Sequence, residues 1–484
     1  MLARGLGRSI SLLAALVLLG SACEADPARP HLRGPEPVDG DRLAGEVDEQ
    51  AEETGQRLAA LAEAIAAGRV GRTGPIRLRP APGWAGERLL NQTGDDWEPA
   101  IAADPNAPFV YVLHNRYGGE SACRRRCPDP SMILHVSRDG GRTFGPERFL
   151  CPCKGVKGQY DPQIEVVPQT GDVYAAWMND FQIHFSRSLN HGRTWTDPVH
   201  VHQGVRWGDK PIMSTSADGR DVYIAYNGPS AGDSRVSWSH DGGDTWSHTR
   251  TGEGDRYYFA YGGAVGPDGT VVFSEISFSY TGPRDTAEGP IEIHAIRSTD
   301  GGGTWSDSVV DELELGPPCT SKGCYPDFHD SGPALAGDED GDLVIVYGGA
   351  ASPGRPRSVY ARSSIDGGKT WGSRVRLSRR EVNAAFPAAV GVGDDEVSVW
   401  FMDRRTGRWN VRFRTSQDLG ASWSKAVRIS DARSGTAYKD RTGFLEVYGD
   451  YGEVAVTSRG RAVAAWGEGT SYAGPGGIWL NRQR

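Results

Sequence analysis

Carboxylates, tyrosines and basic residues recur in this chain at the two ends of short apolar runs. Glu98, Asp161, Asp209 with Lys210, Tyr257 with Tyr258, His329 with Asp330, and Tyr448 with Asp450 and Tyr451 stand at the start of such runs. Asn115 with Arg116, Glu275, and Asp403 with Arg404 and Arg405 close the runs that follow. Two carboxylates facing one another across a cleft, drawn from Glu98, Asp161, Asp209, Asp330, Asp403 and Asp450, have the chemistry of a general acid and base for splitting a glycosidic bond. The same groups serve equally as hydrogen-bond partners of neighbouring elements, and the Asp403–Arg404–Arg405 triplet reads as an ion pair or as a clamp for an anionic ligand. Clusters of carboxylates are also compatible with calcium, but no EF-hand-like spacing is present, so no metal and no cofactor is assigned.

Those residues need a scaffold that brings them to one place. Seven segments begin at Trp97, Tyr160, Asp209, Phe259, His329, Phe386 and Tyr448, each an apolar run, a Gly or Asp turn and a second run rich in Val, Tyr and Trp. That is the pattern of a β-hairpin. Each is followed by a third strand such as MILHVSR or SVYARSS, and six then enter an eight-residue turn approximating SxDxGxTW: Ser137–Phe144, Ser188–Trp195, Ser239–Trp246, Ser298–Trp305, Ser364–Trp371 and Ser416–Trp423. In such a turn Ser and Asp bond backbone groups and Gly takes positive φ. Repeats of 49 to 70 residues over 74–484 predict an all-β chain, a seven-bladed β-propeller, with six blades as the alternative. The seventh copy stops at IWLNR, so the segment PIRLRP around Ile76 is expected to supply its fourth strand and close the ring.

The 484 residues carry 53 Lys plus Arg against 62 Asp plus Glu, a net charge of −9 that argues against nucleic acid as a partner. Residues 1–22 read as a signal peptide, with Arg4 and Arg8 ahead of the apolar run Ile10–Leu19, too short to span a bilayer. The sequence GSAC ending at Cys23 is similar to a bacterial lipobox, which makes Cys23 the lipidated first residue of an exported, cell-surface or periplasmic monomer that meets the membrane only through that anchor. Residues 23–40 read as a disordered tether and 41–70 as a short helix acting as a spacer or docked on the domain. Six further cysteines, Cys123, Cys127, Cys151, Cys153, Cys319 and Cys324, favour disulfides in an exported chain. Cys151 and Cys153 are expected to pair with Cys123 and Cys127, and Cys319 with Cys324; a zinc site from the first four is the alternative.

The turn boxes resemble the Asp boxes of bacterial neuraminidase repeats, and through them and the hairpins the chain resembles the sialidase-like superfamily over the whole propeller. That resemblance implies a glycan partner and a possible glycoside hydrolase, with a Tyr nucleophile assisted by a Glu, an Asp acid and arginines that hold the substrate carboxylate. By position these are Tyr448 or Tyr451, Glu275, Asp161, and Arg116 and Arg404. A neutral phenol suits an anomeric carbon that already bears a carboxylate. The superfamily's Arg-Ile-Pro at the first inner strand is replaced here by Trp97-Glu98-Pro99. A non-catalytic propeller that binds a protein or polysaccharide at the cell surface is the rival reading, with Trp97, Trp207, Tyr257, Tyr258, Phe328 and Tyr451 as stacking platforms.

Overall fold

The computed structural model describes residues 40–68, 80–91, 94–118, 127–151, 155–229, 232–252, 256–281, 286–316, 331–405, 409–430, 451–469 and 474–484, all within the compact unit Val38–Arg484. It is a seven-bladed β-propeller, seven four-stranded antiparallel sheets in a ring, with one helix among the described residues, Gly40–Ala66. The inner strands of blades 1 to 7 are Asp95–Ala103, Gln159–Val166, Asp209–Thr215, Tyr257–Val265, Ala334–Gly337, Ala384–Val392 and Glu453–Val456. Alternating apolar residues pack blade against blade, through side chains such as Trp177, Trp400 and Trp466 that are fully buried. No described helix is long and apolar enough to cross a membrane.

Blade 7 is closed by Arg88–Leu89, which pairs with Leu480 and Trp479 of the last strand. This corrects the expectation of PIRLRP, of which all but Pro80 lies outside the described residues: the chain's return to the ring is set by register against Gly476–Arg482, and the match falls further along. The boxes build the turns they were read as. In all six, the Ser hydroxyl accepts the N–H of the Gly four residues on at 2.8–2.9 Å. The Asp or Asn carbonyl-type oxygen likewise accepts the N–H of the Thr or Ser at 2.7–2.9 Å. The Thr245 hydroxyl, acting against the cost of burial, holds the Asp241 carboxyl down at about 2.

A side chain from one blade then reaches the box of the next. Arg88 donates to Gly141 at 2.7 Å, Arg148 to Gly192 at 2.9 Å, Thr249 to Gly302 at 2.8 Å and Arg297 to Gly367 at 2.8 Å. Replacing Ser239 by Ala strips the acceptor from a buried Gly243 N–H, so unfolding should become easier by about 1–3 kcal/mol. A denaturation midpoint equal to that of the parent would show that the turn holds without its hydroxyl.

Candidate functional site

The inner strands start at one end of the axial channel and turn at the other. Four of them open with a residue in the left-handed region followed by Pro: Glu98 (φ 53), Asp161 (φ 53), Lys210 (φ 49) and Phe386 (φ 57). Each coincides with a bulge, where pairing skips from Trp97 to Ala100, Tyr160 to Gln163, Asp209 to Ile212 and Ala385 to Ala388. Pro cannot donate to the ladder and disfavours the α region for the residue before it, so the chain kinks there and re-aims that side chain. Non-Gly residues held at positive φ are costly and concentrate at functional sites.

Three of these side chains converge with Tyr451, which opens blade 7. The Tyr451 hydroxyl donates to Asp161 Oδ1 at 2.9 Å. Lys210 Nζ lies 3.8 Å from the same oxygen and 5.5 Å from the centre of the Tyr451 ring. Glu98 Oε2 accepts Asn115 Nδ2 at 2.6 Å and the Asp161 N–H at 2.8 Å. Glu98, Asp161 and Tyr451 are all buried. Burial, reinforced by the Asp161 charge and only opposed by Lys210, pushes the Tyr451 phenol well above its ordinary value, so it is neutral at rest.

The other expected residues are placed elsewhere. Glu275 is buried, accepts the Ser234 hydroxyl from blade 3, and is raised to about 7 by burial. Arg116 is buried in ion pairs with Asp96 at 2.6 Å and Glu147 at 2.9 Å. Arg404 is exposed, its backbone N–H on the Asn383 carbonyl, and Asp403 pairs with Arg405 and Arg412. Asp209 is buried at the bulge opposite Asn227. Trp97, Trp207, Tyr257 and Tyr258 are buried, with Trp207 stacked on Phe181. Cys127 and Cys151 are each disulfide-bonded. Tyr448, Asp450, His329, Asp330, Phe328, Cys23, Cys123, Cys153, Cys319, Cys324 and the leader lie outside the described residues.

Two glutamates that sequence reading passed over, Glu165 and Glu453, line the axial cavity of about 1130 Å³, which Tyr451 also borders. Their signal was a charged residue inside an apolar inner strand. Glu165 accepts the Thr215 hydroxyl at 3.0 Å and Glu453 accepts the Ile101 N–H at 2.7 Å. Burial raises Glu165 to about 8, the Glu453 charge adding to it, and burial raises Glu453 to about 7. The folded protein therefore holds protons that the unfolded chain releases, and stability falls as pH rises through this window. Melting temperature followed between about pH 5 and pH 9 should fall more for the parent than for a Glu165→Gln, Glu453→Gln double variant. Parallel curves would mean that neither carboxyl carries a proton in the fold. At the far end of the channel Asp338, Asp342 and Asp395 bring one oxygen each within 4.8 Å of one another.

A propeller of four-stranded blades with a polar mouth built on bulged inner strands is the class of protein this geometry defines. The BNR repeat-like domain model matches residues 178–461, and the chain belongs to that family. It is 26% identical over 315 residues to a sialidase of Micromonospora viridifaciens, a match covering 56% of this chain and 44% of that protein, so it spans less than half of that relative's length. Among solved structures, an ulvan lyase superposes with a TM-score of 0.47 at 11% identity, over 82% of this chain and 95% of that one. An intramolecular trans-sialidase from Ruminococcus gnavus superposes with a TM-score of 0.40 at 11% identity, over 67% and 94%.

Proposed function

We propose that this chain is an exported glycan-binding propeller that hydrolyses a glycosidic bond of an acidic sugar at the mouth formed by Glu98, Asp161, Lys210 and Tyr451. The observation that carries the reading is the Tyr451–Asp161 hydrogen bond with Lys210 beside it. The Tyr451 oxygen attacks the anomeric carbon while its proton passes to Asp161, and the glycosidic oxygen leaves from the opposite face of the ring with a proton taken from water; the hydroxide left behind then cleaves the tyrosyl–sugar bond as Asp161 returns its proton to the phenol oxygen. Lys210 stabilises the negative charge that builds on the phenol oxygen and attracts a sugar carboxylate. Here Asp161 takes the part that family resemblance gave to Glu275. The leader-like residues 1–22 and Cys23 support export with a lipid anchor, and the glycan activities named for the relatives support the substrate class.

The rival, a glycan-binding propeller without catalysis, is favoured by one observation: Arg116 is committed to Asp96 and Glu147 and so is not available to hold a substrate carboxylate. The deciding experiment incubates the protein with a panel of fluorogenic glycosides that includes a sialoside and uronides. Turnover establishes the enzyme; silence from folded protein that is retained on a glycan array establishes the binding module.

A further inference from the structure

The helix Gly40–Ala66 lies outside the matched family region, yet its second half is docked at the mouth. Arg57 is fully buried. Its guanidinium lies 3.4 Å above the centre of the Trp97 ring and 5.0 Å from that of Tyr117. It is bonded to Glu53 at 2.8 Å and stands 3.9 Å from Asp95. One turn earlier, the Thr54 hydroxyl meets the Tyr160 hydroxyl at 3.3 Å. Leu61 is buried over Gly118, where a Cβ would come within 2.4 Å of it. A guanidinium desolvated between two aromatic faces and two carboxylates is a costly arrangement to keep for a mere spacer.

Two of the residues that the helix grips precede the strained positions. Trp97 leads into Glu98 and Tyr160 into Asp161, both at φ 53, and the Asp161 N–H is held by Glu98. A residue in that region persists only where its surroundings over-determine it. We propose that the helix is a clamp in which Arg57 and Thr54 are positioning residues: by pinning Trp97 and Tyr160 they hold Glu98 and Asp161 in the geometry that meets Tyr451. The consequence for catalysis rests on the mouth being the reacting site; the clamp itself does not.

The test compares the full chain with Arg57→Ala, Arg57→Lys and Thr54→Val by peptide-level hydrogen exchange and by kinetics on the best glycoside. Arg57→Ala should speed exchange about tenfold in 95–103 and 159–166 while leaving 343–349 in blade 5 unchanged. It should lower kcat about tenfold or more with a smaller change in KM, because a misplaced catalytic group costs rate before binding. Arg57→Lys keeps the charge but loses the planar stack and should fall between. Should Arg57→Ala not fold, Thr54→Val carries the same comparison at 159–166. Unchanged exchange at both segments, or a uniform rise in every blade, overturns the clamp. Selectively raised exchange with parental kcat overturns the positioning role. If the parent turns over no glycoside, the proposed reaction fails while the exchange pattern still decides the clamp.

Discussion

Tyr451→Phe and Asp161→Asn should each lower kcat on the best glycoside by about 10²–10⁴-fold, the size expected when a nucleophile or its proton partner is removed. The two side chains share one hydrogen bond of 2.9 Å, so they act as a unit. The double variant should be little worse than either single one. Phenylalanine preserves the buried ring under Lys210 and removes only the oxygen; asparagine preserves the shape of Asp161 but cannot accept the proton for transfer. Both keep the packing of a mouth whose residues are buried, so circular dichroism and melting temperature serve as controls for folding. Lys210→Met, which deletes the charge 3.8 Å from Asp161, should reduce turnover of acidic substrates more than of neutral ones. Parental turnover by Tyr451→Phe would place the chemistry elsewhere in the ring.

Gly391→Ala should cost about 3 kcal/mol of stability, near the upper end of what overpacking a core does. Gly391 sits in the inner strand of blade 6, and a Cβ built on it would lie 2.0 Å from the Gly337 carbonyl oxygen of the blade 5 inner strand. The obstacle is backbone on both sides, so no rotamer change relieves it and the two strands must separate where the ring is narrowest. Gly262 has the same relation to the Leu335 N–H, at 2.4 Å. Gly55→Ala is the contrasting substitution: it lies in the helix with nothing within 4 Å and should stabilise by about 0.5–1 kcal/mol through helix propensity. Equal denaturation midpoints for Gly391→Ala and the parent would contradict the close approach of the two strands.

Blade number was legible because its signals are local. The bonds of each box run within eight residues, from Ser137 to Gly141 and Asp139 to Thr143 in the first copy, and a hairpin declares itself by alternation on either side of a turn. The closing strand was not legible. Two residues, Arg88 and Leu89, carry too little pattern, and their choice over PIRLRP is a matter of register against a strand some 390 residues away.

The candidate site divides in the same way. Glu98, Asp161 and Lys210 were legible as residues that open the inner apolar runs, and Tyr451 was named among them. That Tyr451 finds Asp161, 290 residues distant, while Glu275 finds Ser234, depends on which blades the ring makes neighbours. Arg116 had the type and position of a clamp, but Asp96 on the adjoining strand is nearer than any ligand and neutralises it. Glu165 and Glu453 line one cavity, and the Glu453 charge reaches Glu165, only because the ring brings blades 2 and 7 to the same channel. Arg57, on a stretch read as a spacer or docked helix, proved to be stacked on Trp97. By itself the sequence determined the turns, the hairpins and their sevenfold repeat, since hydrogen bonds and side-chain periodicity within a few residues suffice for them. Only ring closure decided the partners of each ionisable group, because burial and electrostatic coupling depend on distances between segments that chain order does not set.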